Sequence, residues 1–558
     1  MITDAPISLQ LSEQARTITA FPPDCFDPMK NKLFYGDNLD IFEKGLVDEN
    51  SVDLCYIDPP FNSKRNYNRI YDRGERQDRA QAWAFLDTWT WNEMADDGFH
   101  RILSNHEGHY TEQCIDLING LTTVLKKNGL NSYLVNMAIR LSDIYLALKP
   151  TGTLYLHCSP TAGHYLKLVL DTLFIPRGGQ FRNEIAWCYR GGGVPKHDFA
   201  RKHQTIFRYS KSHKVTFNVD EVRIPYSEDV TNSLPSRYDK SYRDNKVYEG
   251  YRPNPKGKHP EDWWPIQPLM PSDTTERIGY PTQKPKKLLE RIIKASSNPG
   301  DLVLDAYCGC GTTIDVAQRL QRKWIGIDIT YQAIATVITR MEDQFGKDIL
   351  KSVAVGGLPR DVEAARALAQ RRDDRLRKEY EKWAILTYTN NRAVIHEKRG
   401  ADEGIDGVVY FREREGVGKM VLQAKSGHVE RKDIAALRGD LGKQRATIAC
   451  LITLDKPSRQ MMQAAKDAGQ YTNDLTGQQC DKIQIVTVEE LIEKRPATRL
   501  DMPLDLTAIK KELLELEGQS SFDFDLPRPV KPQRLPPERI HRVRRERGPS
   551  LFPRNTGA

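Results

Sequence analysis

Val52-Asp53-Leu54-Cys55-Tyr56-Ile57-Asp58-Pro59-Pro60-Phe61 carries an apolar run straight into an acid and two prolines. The run reads as a buried strand, and the proline pair ends it, because proline cannot donate to a ladder. A carboxylate, proline-shaped backbone carbonyls and an aromatic ring are thereby expected at a strand's C-terminal edge, where α/β sheets hold their ligands. Such a group suits a planar ring with an exocyclic amino group. The Asp58 carboxylate and the Pro59 carbonyl accept its two N–H bonds, Pro60 shapes the turn, and Phe61 stacks on the ring. An amino nitrogen held this way loses conjugation with its ring, which frees its lone pair for attack. Taken alone, the four residues Asp58 to Phe61 read equally well as a turn that stops a strand.

A second element far downstream decides between those readings. Asp301-Leu302-Val303-Leu304-Asp305 is a short apolar strand ending in an acid, followed by Ala306-Tyr307-Cys308-Gly309-Cys310-Gly311-Thr312-Thr313 and a helical stretch over 314–320. A further strand, Trp324-Ile325-Gly326-Ile327, ends at Asp328. Strand, glycine turn, helix, strand and acid form the βαβ pattern of nucleotide sites: glycines let the backbone approach the ligand, and the last acid takes ribose hydroxyls. The turn holds only G-x-G, without the third glycine of the dinucleotide fingerprint.

In this order the two motifs resemble the permuted, β-type DNA amino-methyltransferases, which use S-adenosylmethionine. Tyr280-Pro281-Thr282-Gln283-Lys284-Pro285 is similar to the segment that precedes the family's cofactor loop, and the run from Asp305 to Thr313 is similar to the loop itself, with Ala306 and Tyr307 in place of the usual Pro and Phe. Tyr35-Gly36-Asp37-Asn38-Leu39 resembles the element whose acid faces the cofactor's adenine. The likeness covers roughly residues 30–345. It implies a doubly wound α/β fold with a mostly parallel sheet. It also implies a cofactor site built from Asp37, Lys284, Asp305, Tyr307, Gly309, Gly311, Thr312 and Asp328. Methyl transfer would be direct, and no Pro-Cys nucleophile motif is present; Cys55, Cys158, Cys308 and Cys310 read as packing residues. The target base must be flipped out of double-stranded DNA, with Lys64 and Arg65 placed to hold its backbone. A motif that begins with Asp favours adenine N6 over cytosine N4.

The 558 residues exceed one core, so two or three domains are expected. Apolar residues make up 39% and mean hydropathy is −0.60; no window has the length of a membrane span, and the N-terminus begins no signal peptide. Nine cysteines without C-x-x-C pairs point to a reduced, cytoplasmic setting in a prokaryote or phage, and away from zinc. A net charge of +8 is only mildly basic. His157 and His164 read as core or turn histidines, since no acid or cysteine is spaced to share a metal with them. Nothing in the sequence chooses between monomer and homodimer.

The expected domains are a loose lead over 1–30, a methyltransferase domain over 31–355, a helical connector over 356–382, a second domain over 383–497 and a basic, proline-rich tail over 498–558. Within the first domain, residues 185–270 depart from the alternating pattern. Their interleaved basic and aromatic residues, Arg237, Tyr242 and Arg243 among them, suit DNA contact and target recognition. In the second domain, Asp406 enters one strand of a hairpin, and Gln423 and Lys425 lie on its return strand. Asp406 and Gln423 could hold a magnesium ion through oxygens, with Lys425 beside the attacked phosphate. This resembles the Mrr-like branch of the D-(E/Q)-x-K restriction-endonuclease fold, a smaller α/β domain. The resemblance implies either phosphodiester cleavage or a degenerate copy that binds DNA. Besides methylation, the alternatives are thus a bifunctional restriction nuclease–methylase and a silent DNA-binding adapter. No P-loop lysine motif for ATP-driven translocation is present.

Overall fold

The computed structural model describes residues 21–60, 89–190, 195–226, 240–243, 246–249, 254–270, 273, 275–278, 280, 282–370, 374–396, 405–493, 503–505, 508–509 and 512, with backbone alone for 240–243, 246–249 and 374–377. Residues 195–200 belong to a small unit of their own, and the other described residues to one larger unit.

In the larger unit the chain runs β1 (Asn31–Tyr35), α1 (Asn38–Glu43), β2 (Val52–Ile57), α2 (Glu93–Ser104), α3 (Glu112–Leu125), α4 (Gly129–Ala147), β3 (Leu148–Cys158), α5 (Gly163–Phe174), β4 (Gln180–Cys188) and β5 (His203–Ser210). It continues through β6 (Lys240–Arg243), β7 (Lys246–Glu249), β8 (Trp263–Pro265), α6 (Lys286–Ser296), β9 (Leu302–Asp305), α7 (Thr312–Arg319), β10 (Lys323–Asp328), α8 (Tyr331–Phe345) and β11 (Val353–Gly356). The nine-stranded sheet has the order β11-β1-β10-β9-β2-β3-β5-β4-β8. All pairs from β11 to β3 are parallel, and the β3–β5 and β5–β4 pairs are antiparallel. Side chains alternate between two apolar clusters. Leu33, Tyr35, Leu54 and Tyr56 join one with α6, α7 and α8, while Phe34, Val52, Cys55 and Ile57 join the other with α4 and α5. Helices on both faces of a parallel sheet make the doubly wound architecture expected from the sequence.

The region 185–270 differs in part from expectation. It does not stand wholly apart: β5 is buried in the main sheet, and β8 pairs with β4. Arg208, on β5, is buried, with its guanidinium 4.6 Å from the Phe217 ring. Tyr242 and Arg243 fall in the β6–β7 hairpin, with side chains outside the described residues; Phe61, Lys64, Arg65 and Arg237 lie outside them altogether.

Beyond β11 come α9 (Val362–Ala369), α10 (Asp374–Tyr388), β12 (Val394–Ile395), β13 (Gly407–Glu413), β14 (Gly416–Lys425), α11 (Arg431–Lys443), β15 (Ile448–Thr453), α12 (Arg459–Lys466), β16 (Gln470–Thr472), β17 (Gln479–Asp481), β18 (Ile483–Thr487) and α13 (Val488–Ile492). The second sheet has the order β12-β13-β14-β15-β18. The boundary placed at 382 falls inside α10, because Tyr380, Trp383 and Ala384 continue one buried apolar face across it. The residues of this face share a cluster with Ile334 and Val337 of α8.

Candidate functional site

Four neighbouring parallel strands, β1, β10, β9 and β2, each deliver an aspartate to the same edge of the sheet: Asp37, Asp328, Asp305 and Asp58. Strands lie about 4.8 Å apart, so the row spans roughly 14 Å. Asp328 and Asp305 end β10 and β9, Asp58 follows β2 directly, and Asp37 caps α1 two residues beyond β1. The chain therefore brings the two distant motifs into one row.

At one end, Arg140 of α4 grips Asp37 with two bonds of 2.7 and 2.8 Å from Nη2. The same guanidinium donates from Nε to Asn38 at 2.6 Å, and Asn38 donates to the Ala306 carbonyl at 2.9 Å, tying this end to the glycine turn. In the turn, Gly309 and Gly311 have φ of 49° and 72°, left-handed values that favour glycine. A Cβ on Gly311 would stand 2.7 Å from Val337 Cγ2, so the turn can sit this close to α8 only without a side chain. Gly309 N–H donates to Asp328 Oδ2 at 2.9 Å, while Thr330 donates its N–H and hydroxyl to Oδ1 at 2.9 and 2.8 Å. Thr312 accepts from Arg340 at 3.1 Å, and Tyr307 is half-buried with its hydroxyl on Met137 Sδ at 3.7 Å. Burial, against hydrogen bonds from Thr313 and from Tyr307 N–H, pushes the Asp305 carboxyl up to about 7.

At the other end, Lys284 forms an ion pair with Asp58 Oδ2 and donates to the Thr282 carbonyl at 3.2 Å. Gln283 clamps this loop, accepting from Ile278 N–H at 3.0 Å and donating to the Glu276 carbonyl at 2.9 Å. Asp58 Oδ1 is buried and has no hydrogen-bond partner among the described residues. His157 Nδ1 lies 3.5 Å from it. That imidazole is fully buried: Tyr56 Oη is 3.2 Å from Nδ1, Gln204 Oε1 is 2.6 Å from Nε2, and the Trp187 ring lies edge-on at 5.5 Å. Burial pushes the imidazole down to about 4. Burial also raises the thiols of Cys55, Cys158 and Cys308, as expected of packing residues and not of nucleophiles.

A nucleoside cofactor with a cationic arm fits this row. The length suits an extended nucleoside, the glycines of the turn add no side chain of their own, and among the described residues the four carboxylates have two paired cations, Arg140 and Lys284. Asp305 carries a pH test of that fit. A bound cation favours the ionised carboxylate, so binding drives off its proton. Affinity for S-adenosylmethionine is expected to rise with pH between about 6 and 8, by at most tenfold per unit, and then level off. Calorimetry across that range measures it, and a flat profile would count against Asp305 facing the cation.

In the second sheet, Gly407 pairs with Leu422, which puts Asp406 opposite Gln423 with Lys425 two residues on. The three expected residues do share one patch, but Asp406 Oδ2 already accepts the Ala424 N–H at 3.0 Å. Among the described residues, no group of three or more His, Cys, Asp or Glu is placed to hold a metal ion. No described helix is long and apolar enough to cross a membrane.

Comparison with known proteins finds a likeness for each of the two regions. Residues 376–493 match the family described as NACHT-associated inactive restriction endonuclease 1, which gives no support to magnesium-dependent cleavage by Asp406, Gln423 and Lys425. Type II methyltransferase M1.MboII of Moraxella bovis is 35% identical over 192 residues, 34% of this chain and 71% of that protein. DNA adenine methyltransferase YhdJ of Escherichia coli (strain K12) is 28% identical over 326 residues, 58% of this chain and 87% of that protein. The crystal structure of the M1.HpyAVI–SAM complex aligns with a TM-score of 0.29 and 17% identity, covering 56% of this chain and 98% of that one. Residues 52–339, more than half of the chain, match the family described as DNA methylase, of the N6/N4 type, and the chain belongs to that S-adenosylmethionine-dependent family.

Proposed function

We propose that this chain methylates the N6 amino group of adenine in double-stranded DNA. The observation that carries the reading is Asp58 Oδ1, a buried acceptor at the end of the carboxylate row that meets no donor among the described residues. When bound, S-adenosylmethionine supplies a methyl group made electrophilic by its sulfonium, so no covalent enzyme intermediate is required. Asp37, Asp305, Asp328 and the Gly309–Gly311 turn would hold it. The remaining work belongs to the chain. Asp58 Oδ1 and the Pro59 carbonyl accept the two amino N–H bonds and fix the nitrogen's direction. The preorganised carboxylate then stabilises the charge that develops on that nitrogen. Alignment of nitrogen, carbon and sulfur lowers the barrier further by removing orientational freedom. Lys284 holds Oδ2, which leaves Oδ1 turned to the base.

A base inside a duplex cannot reach this row, so the target is flipped out, with Phe61 stacking on it. Lys64, Arg65, Arg237, Tyr242 and Arg243 remain our candidates for the DNA contacts. Adenine is favoured by the Asp that opens the motif and by the name of the E. coli relative. The bacterial relatives favour a cytoplasmic setting.

The test is expression in a bacterial host free of DNA methylation, followed by modification-sensitive sequencing of the host genome. N6-methyladenine in one sequence context is expected. N4-methylcytosine would reassign the base, and an unmarked genome would overturn the reading.

A further inference from the structure

The endonuclease-like region is tied to the methylase core at one buried carboxylate. Glu379, on α10, accepts the Tyr331 N–H through Oε2 at 2.7 Å, and its Oε1 accepts from Lys382 at 3.1 Å. Both side chains are nearly inaccessible, at 6% and 8%. A buried ion pair is costly to desolvate, and apolar residues of similar volume would usually serve packing as well. What it provides here is a fixed acceptor for one of the N–H groups that a helix leaves unsatisfied at its start. Tyr331 opens α8, immediately after Thr330, whose N–H and hydroxyl hold Asp328 Oδ1. Asp328 Oδ2 in turn holds the Gly309 N–H. One run of hydrogen bonds and adjoining backbone therefore leads from α10 to the glycine turn. Around it, Tyr331 Oη lies 3.4 Å from Thr387 Oγ1, and the Tyr331 ring stands edge-on to Tyr35 at 6.0 Å. On the far side of α8, Arg392 grips Asp343 with bonds of 2.6 and 3.0 Å, well away from Asp328 in sequence.

We infer that the endonuclease-like region acts as a built-in positioning partner of the cofactor cleft, with Glu379 setting, through Tyr331, Thr330 and Asp328, the conformation of the Gly309 turn. A domain matched to an inactive nuclease family thereby has a role that needs no nuclease chemistry. The inference rests on the reading of this cleft as the S-adenosylmethionine site.

The test uses the full-length chain and calorimetric titration with S-adenosylmethionine, with melting temperatures measured in parallel. Glu379→Ala removes the acceptor and is expected to raise the cofactor Kd about 10-fold or more. Glu379→Asp withdraws it by one methylene and should raise Kd less. Glu379→Gln keeps the length but has one acceptor oxygen, which Lys382 will take, turning the amide N–H₂ towards the Tyr331 N–H, so it should raise Kd more than Glu379→Asp does. Arg392→Ala breaks the contact at the far side of α8 and should lower the melting temperature while leaving Kd unchanged. Should Glu379→Ala fail to fold, the order of the Asp and Gln variants still decides. Unchanged affinity in Glu379→Ala and Glu379→Asp would overturn the inference alone, as would an Arg392→Ala effect on Kd as large as theirs. Absence of binding by the unmodified chain would overturn the cofactor reading and the inference with it.

Discussion

Asp58→Ala is expected to lower methyl transfer by about 10²–10³-fold, the usual cost of removing one preorganised partner of developing charge. The loss should fall on kcat, since the carboxylate meets the nitrogen most strongly as that atom becomes positive. Affinity for S-adenosylmethionine should change little, because Gly309, Gly311 and Asp328 are held by bonds that do not pass through Asp58. Asp58→Asn should be nearly as damaging, despite its shape. Lys284 can only donate, so it will take the amide oxygen and turn the amide N–H₂ towards the base. Donor would then face donor at the target nitrogen. Single-turnover methylation of duplex DNA at saturating cofactor gives the number, with melting temperature as the check on folding. A rate for Asp58→Ala within about threefold of the unmodified chain would remove Asp58 from the reaction.

The carboxylate row was legible in the sequence because backbone grammar announces it. An apolar run broken by Pro59-Pro60, and glycines between two strands ending in Asp305 and Asp328, are local patterns that few folds satisfy in another way. The partners that set those acids were not legible. Arg140 lies 103 residues from Asp37, and Gln204 lies 47 from His157, on strands that become neighbours only in the folded sheet. Lys284, expected beside the cofactor from its place in a motif, pairs with Asp58 at a separation of 226 residues. His157 was read as a core histidine, and it is fully buried; its contact with Asp58 has no local signature, since β2 and β3 are joined by a long connection. Glu379 looked like one acid among many in a charged helix. Its burial arises from the docking of α10 on α8, which no periodicity in either helix foretells.

Gln204→Glu is the second change with a large expected effect, a loss of kcat of about 10- to 100-fold at neutral pH. The Gln204 amide meets two groups: its oxygen lies 2.6 Å from His157 Nε2, and the Tyr189 hydroxyl is within hydrogen-bonding reach of the same side chain. An acceptor at Nε2 selects the tautomer with its proton there. Nδ1 is then a bare acceptor for the Tyr56 hydroxyl at 3.2 Å and has no proton to offer Asp58 Oδ1, 3.5 Å away. On the proposed reading, this keeps Oδ1 available to the base. A glutamate at 204 would stabilise imidazolium, which carries protons on both nitrogens, and Nδ1–H would then occupy Oδ1. Among the described residues, Asp58, Tyr56, residue 204 and the Trp187 ring face the imidazole, with Lys284 close enough to disfavour its charge. With glutamine, the imidazole titrates at about 4, so this group should leave kcat flat from about pH 5 to 8 at saturating cofactor. The variant raises that titration, so its kcat should fall as pH drops towards 6 and recover partly as pH rises. Gln204→Leu leaves Nε2 without its acceptor, so Asp58 can draw the proton to Nδ1; it adds no charge, and its loss of kcat should show no acid limb. If the glutamate variant instead loses activity equally at every pH, residue 204 is only packing the strand, and Oδ1 is kept open by something other than the imidazole.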